Sequence, residues 1–114
     1  MKTTTASTTL LPADVTRYLE AANRFDATAA ANSFTADASV HDENHDYVGR
    51  SAIRAWIAET SRKYRPAFTV LRAAVNGDDV TLSVAVSGQF PGSPVTLNYE
   101  LRLCGGKIST LTIE

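Results

Sequence analysis

Residues 95–103 read V-T-L-N-Y-E-L-R-L, a strict alternation of apolar and polar side chains. This period of two is typical of a β-strand with one buried face, because successive side chains point to opposite faces of a sheet. Residues 80–86 alternate in the same way, and residues 68–75 form a third β-like stretch. Turn-forming residues delimit these stretches, namely Asn76-Gly77, Pro91-Gly92-Ser93-Pro94 and Gly105-Gly106. The sequence therefore predicts antiparallel strands joined by hairpins from residue 67 to the C-terminus.

The segment before residue 67 is predicted to form three helices and one strand. Apolar residues recur at helical spacing in two places, Val15, Tyr18, Leu19 and Ala22 in the first and Ile53, Trp56, Ile57 and Thr60 in the second. A short helix is predicted over residues 26–35, with Asp26 as its cap and Phe34 on its buried face. Residues 37–43 alternate as a strand. This order indicates an α+β fold in which a curved antiparallel sheet carries the helices on its concave face, a shape that leaves room for a small ligand.

Length and composition predict a single globular domain. The chain has 114 residues, 44% of them hydrophobic, and a formal net charge of −1. We expect residues 11–114 to form the domain and the Thr/Ser-rich residues 1–10 to be a disordered tail. The charge argues against nucleic acid as a partner, because phosphate binding needs a coherent basic surface. No apolar run approaches the ~20 residues that span a bilayer, and a single cysteine, Cys104, fits a reducing cytoplasm.

Residues 41–46 read H-D-E-N-H-D and place two histidines and three acids within six positions. If the strand continued through residue 45, His41, Glu43 and His45 would share one face and could bind a divalent metal ion. The alternative is a solvated loop, which the turn-forming residues of this segment favour. A third possibility is that one of the two histidines lines the mouth of the pocket. We expect the loop, with no metal bound.

Asp42 is predicted to lie on the opposite face from the two histidines. If Val40 points into the concave space, Asp42 does so too, because strand side chains alternate. Burial in an apolar cavity disfavours the charged form of a carboxyl group and makes it an effective base near neutral pH. The alternative is that Asp42 ends the strand and caps the following turn.

Several segments along the chain resemble one known superfamily. They are Arg17-Tyr18-Leu19, Ala22-Asn23 with Asp26, residues 34–42 (FTADASVHD), residues 49–53 (GRSAI) and Leu101-Arg102-Leu103. Together they resemble the nuclear transport factor 2-like superfamily, within which the SnoaL-like polyketide cyclases and the ketosteroid isomerases are most similar. The resemblance runs from about residue 14 to residue 114 and implies a cone-shaped α+β fold.

The resemblance also implies a catalytic site. In the ketosteroid isomerases, a tyrosine at the place of Tyr18 and a protonated aspartic acid form an oxyanion hole, while an aspartate at the place of Asp42 transfers the proton. Tyr99 occupies the position of the second donor here, and its hydroxyl can also donate to an enolate. Glu43 replaces the proline that usually follows the aspartate. The implied site is therefore Asp42 as base with Tyr18 and Tyr99 as donors, and it needs no cofactor.

The expected partner is a small hydrophobic molecule. Side chains predicted to line its pocket are Trp56, Phe34, Val40, Leu97 and Val84. Because members of the superfamily often dimerise through the outer face of the sheet, a homodimer through that polar face is also expected. Three functions remain open: an enzyme of the isomerase, cyclase or dehydratase type, a non-catalytic binding module, and a structural dimerisation domain.

Overall fold

A computed structural model describes residues 11–114, so the expected tail over residues 1–10 lies outside the described part. Within it, the chain forms three helices, namely α1 (Ala13–Asn23), α2 (Ala27–Ala31) and α3 (Arg50–Tyr64). It also forms six strands, namely β1 (Phe34–Asp42), β2 (His45–Val48), β3 (Ala67–Asn76), β4 (Asp79–Ser87), β5 (Val95–Cys104) and β6 (Lys107–Ile113). None of the helices in this part is long and apolar enough to cross a membrane.

The six strands form one curled, open sheet in the order β2-β1-β6-β5-β4-β3. Strands β3 to β6 are joined by hairpins and pair antiparallel, as the alternating sequence predicts. One pair differs from the antiparallel expectation, because β1 and β6 run parallel in the centre of the sheet. Parallel neighbours need a long crossover connection, and the chain between β1 and β6 supplies it with α3 and four strands, β2 to β5. The α+β class is confirmed.

The predicted loop after Asp42 is wrong, because the chain folds back there as a hairpin. Strand β2 pairs antiparallel with β1, and Asp42 lies opposite His45. The two residues between the strands, Glu43 and Asn44, have φ values of 53° and 63°. Positive φ at both positions is typical of a two-residue hairpin turn that favours Asn and Gly, so a Glu-Asn pair is a weak signal in the sequence. The hairpin also prevents His41, Glu43 and His45 from lying on one continuous strand.

The second helix is shorter than predicted. Asp26 caps it as expected, because its Oδ1 accepts a hydrogen bond of 3.0 Å from the Ala29 amide. The helix ends at Ala31 rather than at residue 35, and Phe34 begins β1. The Ser33 carbonyl accepts a hydrogen bond of 2.9 Å from the Ile108 amide, so pairing with β6 draws the chain into the sheet before the helix can continue.

The core lies between the helices and the concave face of the sheet. The predicted helical stripes are confirmed by the burial of Val15, Tyr18, Leu19, Ala22, Ile53, Trp56 and Ile57. Inward residues of the strands are buried opposite them, among them Val80, Leu82, Val84, Leu101, Ile108 and Leu111. Burying each such side chain contributes about 1.5–3 kcal/mol, so these apolar faces hold the helices on the sheet.

Candidate active site

A cavity of about 590 Å³ opens between α1, α3 and the concave face of the sheet. Helix α1 contributes Tyr18 to its wall, α3 contributes Trp56, and β5 contributes Leu97 and Tyr99. Asp42 reaches it from the end of β1. The volume is in the range of about 300–1,000 Å³ that small-molecule sites occupy.

Asp42 is the last residue of β1 and is half-buried at the cavity wall. It faces inward two residues after Val40, which is fully buried, so the predicted alternation places it correctly. The indole Nε1–H of Trp56 donates a hydrogen bond of 3.3 Å to Asp42 Oδ2. This bond holds one carboxylate oxygen against α3, and the carboxylate also accepts a backbone hydrogen bond from Glu43.

The environment of Asp42 raises the pKa of its carboxyl group above 3.8. Burial is the main cause, and the neighbouring charge of Glu43 adds to it. The hydrogen bond from Trp56 and the proximity of His41 oppose the rise in pKa without cancelling it. Asp42 is therefore a stronger base than an exposed aspartate, which is the property that proton abstraction at neutral pH requires.

Tyr18 and Tyr99 reach the cavity from opposite sides of the core, and each is only 2% exposed. Burial raises the pKa of both hydroxyls, and the charge of Asp42 raises both further. Tyr18 also contributes to the raised pKa of Tyr99, so the three groups share one electrostatic environment. Both tyrosines therefore stay protonated and able to donate hydrogen bonds well above neutral pH.

The two tyrosine hydroxyls have no hydrogen-bond partner among residues 11–114. In this part of the chain, every side-chain nitrogen or oxygen atom that is fully buried has a hydrogen-bond partner. The hydroxyls of Tyr18 and Tyr99 must therefore open onto the cavity that both residues line. Two buried donors and one half-buried carboxylate thus face the same space.

Only part of the predicted pocket wall lies at the cavity. Trp56 and Leu97 line it, whereas Phe34, Val40 and Val84 are 0% exposed and belong to the core beside it. The ring of Phe34 packs edge-on against Tyr18 with centroids 5.3 Å apart, so it supports a wall residue instead. Alternation correctly predicts these side chains to be inward but does not show where the cavity ends, because the helices fill part of the concave face.

Several wall residues were missed in the sequence. They are Tyr64 at the end of α3, Phe68 as the second residue of β3, Phe90 in the loop after β4, and Glu114 directly after β6. The rings of Tyr64 and Phe90 meet edge-on at 5.8 Å. Alternation along β3 could have identified Phe68, but the loop and terminal positions carry no periodic signal.

The two histidines differ in position. His41 lines the cavity, and its Nδ1 is 2.7 Å from Asp46 Oδ1. His45 is exposed, lies outside the cavity wall, and hydrogen-bonds through Nδ1 to the Glu43 carbonyl at 2.9 Å. Across residues 11–114, no group of three His, Cys, Asp or Glu side chains is placed to hold a metal ion.

The fold and the cavity together define a class of protein, the small cone-shaped α+β domains with an internal ligand site. The sequence profile of the SnoaL-like domain matches residues 15–109. The chain therefore belongs to the SnoaL-like family, and the predicted resemblance is confirmed. A comparison with proteins of curated function found no significant match.

Solved structures agree with this assignment. A candidate polyketide cyclase from Sinorhizobium meliloti is 36% identical, with a TM-score of 0.87 over 91% of this chain and 95% of the other. A protein with a ketosteroid isomerase-like fold from Catenulispora acidiphila, solved in complex with trimethylamine, is 25% identical. Its TM-score is 0.80 over 90% of this chain and 85% of the other. A cystatin-fold protein from Novosphingobium aromaticivorans is 17% identical, with a TM-score of 0.76. The match covers 89% of this chain and 94% of the other. This last likeness concerns the fold alone.

Proposed function

We propose that the protein catalyses cofactor-free proton transfer on a small hydrophobic carbonyl compound, as an isomerase, cyclase or dehydratase does. The proposal rests on one observation: Asp42, Tyr18 and Tyr99 all line the same largely apolar cavity. A half-buried carboxylate supplies the base, and two buried hydroxyls supply donors for the charge that develops on the carbonyl oxygen. The similarity to a candidate polyketide cyclase is consistent with this chemistry.

The proposed reaction begins when Asp42 removes a proton from the carbon next to the carbonyl group. The C–H bonding pair forms the enolate double bond, and the negative charge moves to the carbonyl oxygen. Tyr18 and Tyr99 donate hydrogen bonds to that oxygen and stabilise the enolate. In an isomerisation, the protonated Asp42 returns the proton to another carbon. In a cyclisation, the enolate carbon attacks a second carbonyl carbon of the substrate, and Asp42 gives its proton to the oxygen of that carbonyl group. In a dehydration, the enolate expels a β-hydroxyl group, which takes the proton of Asp42 and leaves as water. Trp56 orients the carboxylate throughout through its bond to Oδ2.

Solvent deuterium exchange tests this proposal without knowledge of the natural substrate. A panel of small cyclic ketones and enones is incubated with the protein in D₂O, and exchange of the α-protons is followed by NMR. We expect exchange to be accelerated by the native protein and to fall about 10²–10⁴-fold in Asp42→Asn, the usual size of a general-base contribution. A panel that the native protein exchanges no faster than buffer would contradict the proposal.

Asp37→Asn is the matched control. It makes the same substitution in the same strand, but Asp37 is exposed, accepts a hydrogen bond of 3.1 Å from the Thr35 hydroxyl and is not part of the cavity wall. Its exchange rate should equal that of the native protein. Equal rates in Asp42→Asn and Asp37→Asn would remove Asp42 from the mechanism.

A non-catalytic binding module is the second candidate function. Its support is the largely apolar cavity and the trimethylamine held by the Catenulispora relative. In that case Asp42 and the tyrosines would only orient a ligand, and tight binding without exchange would be observed. The open cavity does not support the third possibility, a purely structural domain with a filled interior.

We also propose that two chains associate through the outer face of the sheet. The outward side chains at its centre are mostly polar and form cross-strand pairs, Thr81 with Glu100, Ser83 with Asn98 and Ala85 with Thr96. Leu71 adds an apolar group at β3, where it is 58% exposed. A mixed surface of this kind suits a hydrogen-bonded interface between two copies.

A further inference from the structure

The charged side chains at the cavity are all acidic, although the chain as a whole is nearly balanced. The sequence contains 11 Lys and Arg residues against 12 Asp and Glu residues. Asp42, Glu43 and Glu114 line the cavity, whereas none of the described Lys and Arg residues does. Lys63 lies nearby, with Nζ 5.1 Å from the centre of the Tyr64 ring, but it is exposed and not part of the wall. His41 also lines the cavity, but its Nδ1 lies 2.7 Å from Asp46 Oδ1, so it already has a carboxylate partner outside the wall. The three wall carboxylates therefore have no Lys or Arg partner in the described part of the wall.

Aromatic rings form much of the remaining wall. Trp56, Tyr64, Phe68 and Phe90 line the cavity together with Tyr18 and Tyr99. The faces of aromatic rings attract cations, and this attraction is strongest where water is excluded. Carboxylates combined with several rings are the surroundings in which proteins hold alkylammonium groups. A purely apolar ligand would use the rings but would further desolvate the half-buried Asp42 carboxylate without giving it a new partner.

The tyrosine hydroxyls provide an independent observation. Tyr18 and Tyr99 are each only 2% exposed, have no partner among the described residues, and line the cavity. Their oxygens present lone pairs to a ligand, so they can face a cation or an adjacent hydrogen-bonding group. Hydroxyls that lack a protein partner and open onto the cavity are placed to hydrogen-bond a polar group of a ligand there.

From these observations we infer that the cavity selects compounds carrying a small organic ammonium group. Asp42 and Glu114 supply the opposite charge, and the aromatic wall contacts the alkyl substituents on the nitrogen. The inference rests on the proposed function only in taking this cavity as the ligand site. It deepens that function by assigning a positive charge to the substrate, which would carry the ammonium group in addition to its carbonyl group.

A matched pair of ligands tests the inference. Choline and 3,3-dimethylbutan-1-ol have nearly the same shape. Choline has a positively charged nitrogen where the alcohol has a neutral carbon. Trp56 is the only tryptophan in the chain, so its indole N–H gives one assignable NMR signal beside Asp42. Each compound is titrated at pH 8 and fixed salt while this signal is followed. We expect choline to bind at least tenfold more tightly than the alcohol.

The double variant Asp42→Asn with Glu114→Gln locates the source of the preference. It should bring the ratio of the two affinities close to one while the alcohol still binds, which also shows that the variant is folded. Asp37→Asn, which removes a carboxylate away from the cavity, should keep the native ratio. Equal or tighter binding of the alcohol, no choline-induced shift at all, or a preference that survives in the double variant would each overturn the inference.

The exchange experiment separates this inference from the proposed function. If the protein prefers choline but exchanges no ketone protons, the ammonium site is supported and the proposed reaction is contradicted. If the protein exchanges the protons of neutral ketones but does not prefer choline, the proposed reaction is supported and the ammonium site is contradicted.

Discussion

Asp42 is the proposed base, and its half-buried position disfavours its charged form. Burial raises the pKa of the carboxyl group, and the hydrogen bond from Trp56 restrains that rise. An exposed aspartate would be too weak a base, whereas a fully buried one would remain protonated at neutral pH. The half-buried position keeps the group available as a base and makes its ionisation unfavourable for folding.

Asp42→Asn should therefore change how stability depends on pH. The folded pKa lies above the ordinary 3.8, so between these two values the folded protein holds a proton that the unfolded chain has lost. Stability of the native protein then falls as pH rises through this window and stays lower above it. Asn cannot ionise but can still accept from Trp56. We expect the variant to unfold at a higher urea concentration than the native protein at pH 8.

This advantage should shrink as pH falls towards 3.8, because the folded carboxyl then holds its proton and the unfolded chain is about half protonated at this position. The measurement is a series of urea unfolding curves between pH 4 and pH 8. Glu20→Gln, which removes a carboxylate from the exposed side of α1, is the control and should run parallel to the native protein. A native protein that stays more stable than Asp42→Asn at pH 8 would contradict the expected effect of burial.

At the level of elements, α3 and β1 hold the two partners of the Asp42–Trp56 bond. The guanidinium of Arg50, at the start of α3, donates to the Phe34 carbonyl at the start of β1 through Nε at 3.2 Å and Nη2 at 2.7 Å. This contact ties the beginning of the helix to the beginning of the strand. The relative position of the helix and the strand therefore determines whether the indole reaches the carboxylate.

The other end of α3 is held by the loop after β4. The Gln89 amide donates a hydrogen bond of 2.7 Å to the Tyr64 carbonyl. A Cβ atom on Gly88 would lie 2.6 Å from that same carbonyl oxygen and 3.1 Å from the ring of Phe90. Gly88 therefore permits a close approach that places Tyr64 and Phe90 at the cavity wall.

Gly88→Ala should consequently destabilise the protein by about 1–3 kcal/mol, the usual cost of forcing an extra methyl group into a tight contact. Urea unfolding at pH 7 measures the change, and Ser87→Ala, at the exposed neighbouring position, should stay within about 0.5 kcal/mol of the native protein. The NMR signals of the cavity should shift in Gly88→Ala only. Equal stability of the two variants would show that the loop moves away from α3 without cost.

For the whole molecule, the curled sheet separates two surfaces with different roles. Its concave face carries the core and the cavity, while its outer face is available for a second copy. Ser83 lies near the centre of the outer face, opposite Asn98 on β5. A change at this point alters the outer face without entering the cavity.

Ser83→Arg should weaken the proposed dimer at least tenfold, because two long charged side chains would be brought together at the interface. Sedimentation velocity over a range of concentrations measures the association. Glu20→Arg adds an arginine to the exposed side of α1 and should leave the native dimer intact. A monomeric native protein, or a dimer that Ser83→Arg leaves unchanged, would contradict an interface through this face.

Local pattern accounts for most of the fold that could be predicted. The stripes of α1 and α3 and the alternation of β4 and β5 depend only on neighbouring residues, so the sequence reveals them directly. The hairpin of β1 and β2 could not be predicted, because its turn, Glu43-Asn44, lacks the glycine that marks such turns. The end of α2 was misplaced because pairing of Ser33 with Ile108, far along the chain, ends the helix.

The sequence by itself determined which side chains face inward, and alternation with the family resemblance identified Asp42, Tyr18 and Tyr99 as a candidate site. Only the tertiary structure decided that Trp56 bonds to Asp42, that His41 lines the cavity, and that Phe34, Val40 and Val84 do not. It also decided that Asp42, Glu43 and Glu114, and none of the described Lys and Arg residues, line the cavity. The physical reason is that burial pattern is a local property of each element, whereas a cavity wall is assembled where separate elements meet.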